Sequence, residues 1–311
     1  MMFRIPSPHP AACRHSDARC IPAPTMIRGR IQKRHVSDDP DLKYCIFVSK
    51  TLAAEAPLFI AVHGIRRGAE SQARHFAPFI NQFGGVLVAP LFSKKQFSDY
   101  QRLGRCGKGD RADLALKRIV IDVSRTLGLH FSQLVMFGYS GGGQFVHRYA
   151  MANPRQVKRV AITASGWFTF PDMARPFPRG IGRTAGLPDV LFDPARFLKI
   201  PTLVMVGEKD VIRDDNLNKN KKIDTQQGAN RLERGQRWIA AMSASASRFR
   251  FTTPFTFKML PGCGHSFIEC MKTGNMGRMV VDFLFHDLSV EHPSQSVKKN
   301  DGAGATAPVP L

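Results

Sequence analysis

The chain reads as an α/β protein built on a mostly parallel sheet with helices on both faces. Three observations lead there. Short apolar runs alternate with stretches of helical spacing, most of those runs are apolar throughout, and 43% of the 311 residues are hydrophobic. A run without polar alternation is the pattern of a strand buried on both faces. Strand and helix in alternation imply parallel neighbours joined by helical crossovers. This material excludes a wholly disordered chain.

Taken in order, residues 1–28 carry Pro6, Pro8, Pro10, Pro22 and Pro24 and no periodic apolar pattern, and they read as a disordered leader. The leader is Arg-rich and acid-poor, as transit peptides are, but its prolines break an amphipathic helix, and Met26 offers an alternative start. Strands are predicted at 44–49 (YCIFVS), 58–62 (LFIAV), 85–89 (GVLVA), 133–137 (QLVMF), 158–163 (KRVAIT), 202–206 (TLVMV) and 255–260 (FTFKML). Helical spacing fills 70–83, 112–127, 142–152, 229–243 and 276–286. Residues 29–288 are thus expected to form one domain, with a flexible tail at 289–311. Two long connections, 167–199 and 211–228, interrupt the rhythm, and connections of that length are usually functional or disordered. The first sits where a lid over a site would be.

The formal net charge is +21, from 45 Lys and Arg against 24 Asp and Glu. Residues 1–36 hold a surplus of six positive charges, so most of the excess belongs to the folded part. A pervasive basic surface favours anionic substrates or partners. Nucleic acid is disfavoured, because no RRM, KH, zinc-finger or basic-zipper pattern accompanies the charge. Arg102, Arg105, Lys108 and Arg111 are candidates for a basic rim, with a solvated charged loop as the plainer reading.

No run approaches the 18 apolar residues of a membrane span, and the start lacks a secretory h-region. Six cysteines form no CxxC pair, so free thiols and a soluble, cytoplasmic protein are expected. No HExxH or EF-hand pattern occurs, so neither metal nor cofactor is implied. Gly104 to Gly109 (GRCGKG) lacks the spacing and the Ser or Thr of a phosphate loop.

The strongest local signal is Gly138-Tyr139-Ser140-Gly141-Gly142, directly after QLVMF and directly before a helical pattern. That is G-x-S-x-G in a strand, turn, helix setting, where glycines two residues either side of the serine let strand and helix approach. A tight turn with packing glycines would also produce it. Downstream, Gly207-Glu208-Lys209-Asp210 ends the strand TLVMV, and Gly262-Cys263-Gly264-His265-Ser266 follows the last strand.

With serine, acid and histidine in that order, and His63-Gly64 ending LFIAV, residues 30–287 resemble the α/β-hydrolase superfamily. FGYSGGGQFVHRYA and GEKD resemble its esterase and polyhydroxyalkanoate-depolymerase-like branch. The resemblance implies an α/β-hydrolase fold with a lid-like insertion, 167–199, after the sixth strand. It implies a serine esterase that works through an acyl-enzyme: Ser140 as nucleophile, His265 as base and Asp210 as its acid, Asp214 and Asp215 being close competitors. The backbone amides of Gly141 and Ile65 would form the oxyanion hole, and Tyr139, Trp167 and Phe168 would contact substrate. His63 is expected to orient the oxyanion loop, His147 to pack, and Cys263 to be a bystander. The expected substrate is a small or oligomeric ester, an anionic one being favoured by the charge. Lactones, thioesters, amides, peptides and acyl transfer remain open on the same scaffold, as does a non-catalytic binding protein with a basic surface.

Overall fold

A computed structural model describes residues 26–53 and 55–286. Most of the expected leader and all of the expected tail lie outside the described residues. The strands are β1 (Ile31–Val36), β2 (Asp39–Val48), β3 (Leu58–Val62), β4 (Val86–Pro90), β5 (Leu134–Tyr139), β6 (Val157–Thr163), β7 (Thr202–Gly207) and β8 (Phe255–Leu260). The helices are α1 (Ala69–Gln82), α2 (Ala112–Leu127), α3 (Gly141–Ala152), α4 (Pro194–Phe197), α5 (Lys221–Gln227), α6 (Arg231–Arg248), α7 (Phe267–Lys272) and α8 (Met276–Leu284).

The strands form one sheet in the order β1-β2-β4-β3-β5-β6-β7-β8. From β4 to β8 all neighbours are parallel, while β2 runs antiparallel to both β1 and β4. Side-chain alternation splits the core between the two faces. Leu58, Ile60 and Val62 join one cluster with Leu116, Phe145 and Trp238. Phe59 and Ala61 join the other with Phe76, Ile80 and Val281. So α2, α3 and α6 cover one face, and α1 and α8 the other. Among the described residues no helix is long and apolar enough to cross a membrane.

Strand β1 was not anticipated, and β2 starts five residues before the predicted 44. The sequence of β1, IQKRHV, is basic and only its last residue is buried, which is affordable for an edge strand with one covered face. What fixes the hairpin lies far along the chain. Asp122 of α2 accepts from Ser37 N (2.9 Å), Ser37 Oγ (2.6 Å) and Tyr44 Oη (2.6 Å).

The 167–199 connection starts inside the protein. Arg234 donates to Gly166 O (2.6 Å), and Gln227, fully buried, bonds both N–H and C=O of Phe168 at 2.8 Å. Thr169 N–H donates to His147 Nε2 (3.0 Å), and Trp238 Nε1 donates to Thr169 O (2.7 Å). Farther on, Phe177, Ile181 and Leu187 are buried in the same core.

Candidate active site

Ser140 follows β5 with φ +55° and ψ −112°, a conformation that costs an L-residue about 1–3 kcal/mol and persists only where its surroundings impose it. The surroundings do. Ser140 N–H donates to Thr163 O on β6 (2.7 Å), and its carbonyl accepts from Gln144 N in the first turn of α3 (3.2 Å). Gly142 is required by close approach, since a Cβ there would overlap the carbonyl of Val62 on β3. The hydroxyl stands at the carboxyl end of the parallel strands, beside the first-turn amides of α3, which lack intrahelical acceptors.

Asp210 and His265 arrive from the ends of β7 and β8. Gly207 leaves room for the Cys263 carbonyl, whose oxygen accepts from Lys209 N (2.8 Å). The histidine loop is fastened at Gly262 N by Glu208 (2.8 Å) and at Gly264 N by Glu269 (2.8 Å), and Ser266 caps α7. Ser140 Oγ lies 3.1 Å from His265 Nε2, and His265 Nδ1 lies 2.8 Å from Asp210 Oδ2. With the proton on Nδ1 directed at the carboxylate, Nε2 is free to accept from the serine. The competitors are otherwise engaged: Asp214 accepts from Arg231, and Asp215 pairs with Lys219 in solvent.

Arg231 was invisible in the sequence. Its side chain is 1% exposed, and it donates to Asp210 Oδ1 (3.0 Å) and to both oxygens of Asp214 (2.9 and 3.1 Å). Asp214 sits below the usual carboxylate range: desolvation pushes its pKa up, and the Arg231 hydrogen bond and charge outweigh it. Removing one member of a buried ion pair strands the other. Arg231→Met is therefore expected to lower unfolding stability by about 3–5 kcal/mol, read as a fall in the urea midpoint. An unchanged midpoint would mean that the arginine does not compensate Asp210.

Beside the serine, the turn after β3 is equally constrained. Gly64 abuts Ser140, and Ile65, 41% exposed, places its Cγ2 next to Gly141. His63 holds this turn, with Nδ1 at 2.9 Å from Gly64 O and Nε2 accepting from Phe92 N (3.0 Å). Tyr100 Oη donates to His63 O (3.0 Å), and the Arg67 guanidinium lies 4.4 Å above the Tyr100 ring.

Burial pushes His63 down to about 4 and holds His147 well below its ordinary value. Both are therefore neutral in the folded protein at pH values where the unfolded chain, near 6.5, takes up protons. Their stabilisation is full above about pH 6.5 and drains away at lower pH, for His63 as pH falls toward 4. From His63 alone, the unfolding free energy should drop by about 2 kcal/mol between pH 7.5 and 5. Urea titrations at the two pH values test this, and equal values would contradict a buried neutral His63.

The three expected substrate contacts are largely buried. Phe168 is fully buried and stacks on Trp238 (centroids 4.8 Å apart). Trp167 is 5% exposed, with the Arg148 guanidinium 4.3 Å from its ring centroid. Both are drawn inward because buried polar side chains bond the main chain of 166–169. Tyr139, 7% exposed, packs 5.6 Å from the His265 ring and 5.4 Å from Phe267, so it backs the imidazole rather than facing an opening. Cys263 is fully buried and its thiol pKa is raised by burial, consistent with a bystander. Among the described residues no group of three or more His, Cys, Asp or Glu could hold a metal ion.

This sheet order, with a strained serine after β5, an acid after β7 and a histidine after β8, defines the α/β-hydrolase fold. The chain superposes on poly(aspartic acid) hydrolase-1 from Sphingomonas sp. KT-1 with a TM-score of 0.69 at 20% identity, covering 83% of this chain and 100% of that one. For LpqC, a poly(3-hydroxybutyrate) depolymerase from Bordetella parapertussis, the TM-score is 0.67 at 21% identity, covering 83% and 91%. FphF, a fluorophosphonate-binding serine hydrolase from Staphylococcus aureus, gives 0.50 at 12% identity, covering 81% and 97%. No protein-family model and no curated protein matches the sequence.

Proposed function

We propose that the protein is a serine hydrolase that cleaves a carboxylic ester through an acyl-enzyme. The observation that carries this reading is the unbroken chain from Ser140 Oγ through His265 to Asp210 at the strained turn. His265 Nε2 takes the hydroxyl proton as Oγ attacks the carbonyl carbon, and returns it to the departing alcohol. Asp210 keeps the proton on Nδ1 and stabilises the imidazolium. Water, deprotonated by the same nitrogen, then releases the acid. The oxyanion of each tetrahedral intermediate lies against the amides of Gly141 and Ile65, each worth roughly 3 kcal/mol in the transition state. Every role is filled by a group of the chain, so the reading calls for no cofactor. The 167–199 insertion, which leaves β6 beside Ser140, bounds the substrate's approach.

Two of the similar structures are described as acting on polymers, which supports an oligomeric or polymeric substrate. The one described as a poly(aspartic acid) hydrolase keeps cleavage of an amino-acid polymer as the second reading. The test is labelling of the purified protein by a fluorophosphonate, together with hydrolysis of p-nitrophenyl esters and anilides of one acyl series. One label per chain and faster ester than anilide turnover support the proposal. Folded protein that neither labels nor turns over either series overturns it.

A further inference from the structure

The candidate basic rim of Arg102, Arg105, Lys108 and Arg111 is largely neutralised, in keeping with the plainer reading of a charged loop. Arg102 and Arg105 both pair with Asp99, and Arg111 pairs with Asp113 and Asp189. Uncompensated charge collects elsewhere on the same edge of the sheet, in a groove of about 750 Å³ between the start of the 167–199 insertion and α5. One wall is Asp172, Arg175 and Arg179, and the other Lys221, Lys222 and Gln226. Asp172 is engaged by Arg175 at 3.0 Å. Arg179, Lys221 and Lys222 have no ion-pair partner among the described residues, so four cations face one carboxylate and the groove carries a net +3. The neighbouring Asp224 adds no free negative charge, because Arg213 and Arg234 share it.

The two walls are held together from beneath. Gln227 makes its two bonds to Phe168, and Gln226 Nε2 donates to Arg179 O (3.3 Å). The positive charges are thus set on a fixed frame before any ligand arrives, which reduces the ordering cost of binding. The segments that form them leave the carboxyl ends of β6 and β7, the edge that carries Ser140.

We infer that this groove is a docking cleft for an extended polycarboxylate chain that continues toward Ser140. The choice of a carboxylate polymer rests on the acyl-transfer reading above: a chain cut at Ser140 must contain acyl bonds, which a phosphodiester backbone lacks. The groove also offers the bases of a nucleic acid little to stack on, its one aromatic ring being the half-buried Phe170.

Binding is measured on the full chain carrying Ser140→Ala, so the result does not depend on turnover and stands apart from the labelling test. The probe is fluorescent poly-L-glutamate at 0.15 M salt. Arg179→Gln, Lys221→Gln and Lys222→Gln are combined in one variant. Arg155→Gln, Arg248→Gln and Arg250→Gln remove the same charge at the amino ends of β6 and β8, on the opposite edge. The groove variant should bind about tenfold or more weakly, and the control variant within about twofold of the parent. Matching circular dichroism and melting temperatures confirm that all three proteins are folded. Equal weakening in both variants, or no weakening in the groove variant, overturns the inference. So does a single-stranded oligonucleotide that competes as well as unlabelled polyglutamate, which would make the groove a nucleic-acid site.

Discussion

Ser140→Ala is expected to lower kcat by roughly three to six orders of magnitude on any ester the protein turns over, and to abolish fluorophosphonate labelling. Only one oxygen is removed. The strained turn is imposed by Thr163, Gln144 and the glycine at 142, none of which depends on the hydroxyl. The melting temperature should therefore stay within a few degrees, which separates loss of the nucleophile from loss of fold. Residual rate over water would come from the amides of Gly141 and Ile65. Labelling that survives in the variant would move the nucleophile elsewhere. Cys263, two residues from His265, is a poor substitute, since burial raises its pKa and removes it from solvent.

The serine turn was legible because its chemistry is local: five consecutive residues between an apolar strand and a helical pattern leave few alternatives. Asp210 and His265 were legible through order along the chain, and geometry then separated Asp210 from Asp214. Strands apolar throughout, such as LFIAV, were placed where they occur. The edge hairpin was not, because a strand covered on one face tolerates IQKRHV, and its anchor, Asp122, is 85 residues from Ser37.

Buried cations were the least legible feature. Arg148, Arg231 and Arg234 lie on amphipathic helices where an arginine ordinarily faces solvent, yet each is at most 1% exposed. Each is held by acceptors supplied from distant loops, and burial pushes the pKa of Arg148 and Arg234 down. The same distance effect set the charge around residues 102–111, where the solvated charged loop was already the plainer reading. Arg111 finds Asp189 across 78 residues, while Lys221 and Lys222, in the second of the two long connections, face a groove wall made by the first. Their place after β6 fits Trp167 and Phe168 equally to a pocket wall and to core packing. Buried Gln227 and Arg234, which pull that main chain inward, carry no local signature.

Asp210→Asn is the second large effect, and Arg231 determines its form. Arg231 Nη1 donates to Oδ1 of Asp210, so an asparagine there must turn its carbonyl oxygen toward the guanidinium. Its NH₂ then faces His265 Nδ1, now 2.8 Å from Oδ2, and can only donate to it. The imidazole is forced to carry its proton on Nε2, where it cannot accept one from Ser140. A fall in kcat of about 10⁴-fold is expected, with KM little changed, as for an acid-to-amide change that traps the wrong tautomer. The trap has a release. In Asp210→Asn combined with Arg231→Met, nothing dictates the amide's orientation, and its oxygen can again accept from Nδ1–H. The double variant should recover about tenfold or more of kcat over Asp210→Asn alone, measured below its lowered melting temperature. If Asp210→Asn keeps a tenth of wild-type activity, Asp210 is not the histidine's partner in the reaction. If the double variant is no faster than the single, Arg231 does not set the tautomer and acts on stability alone.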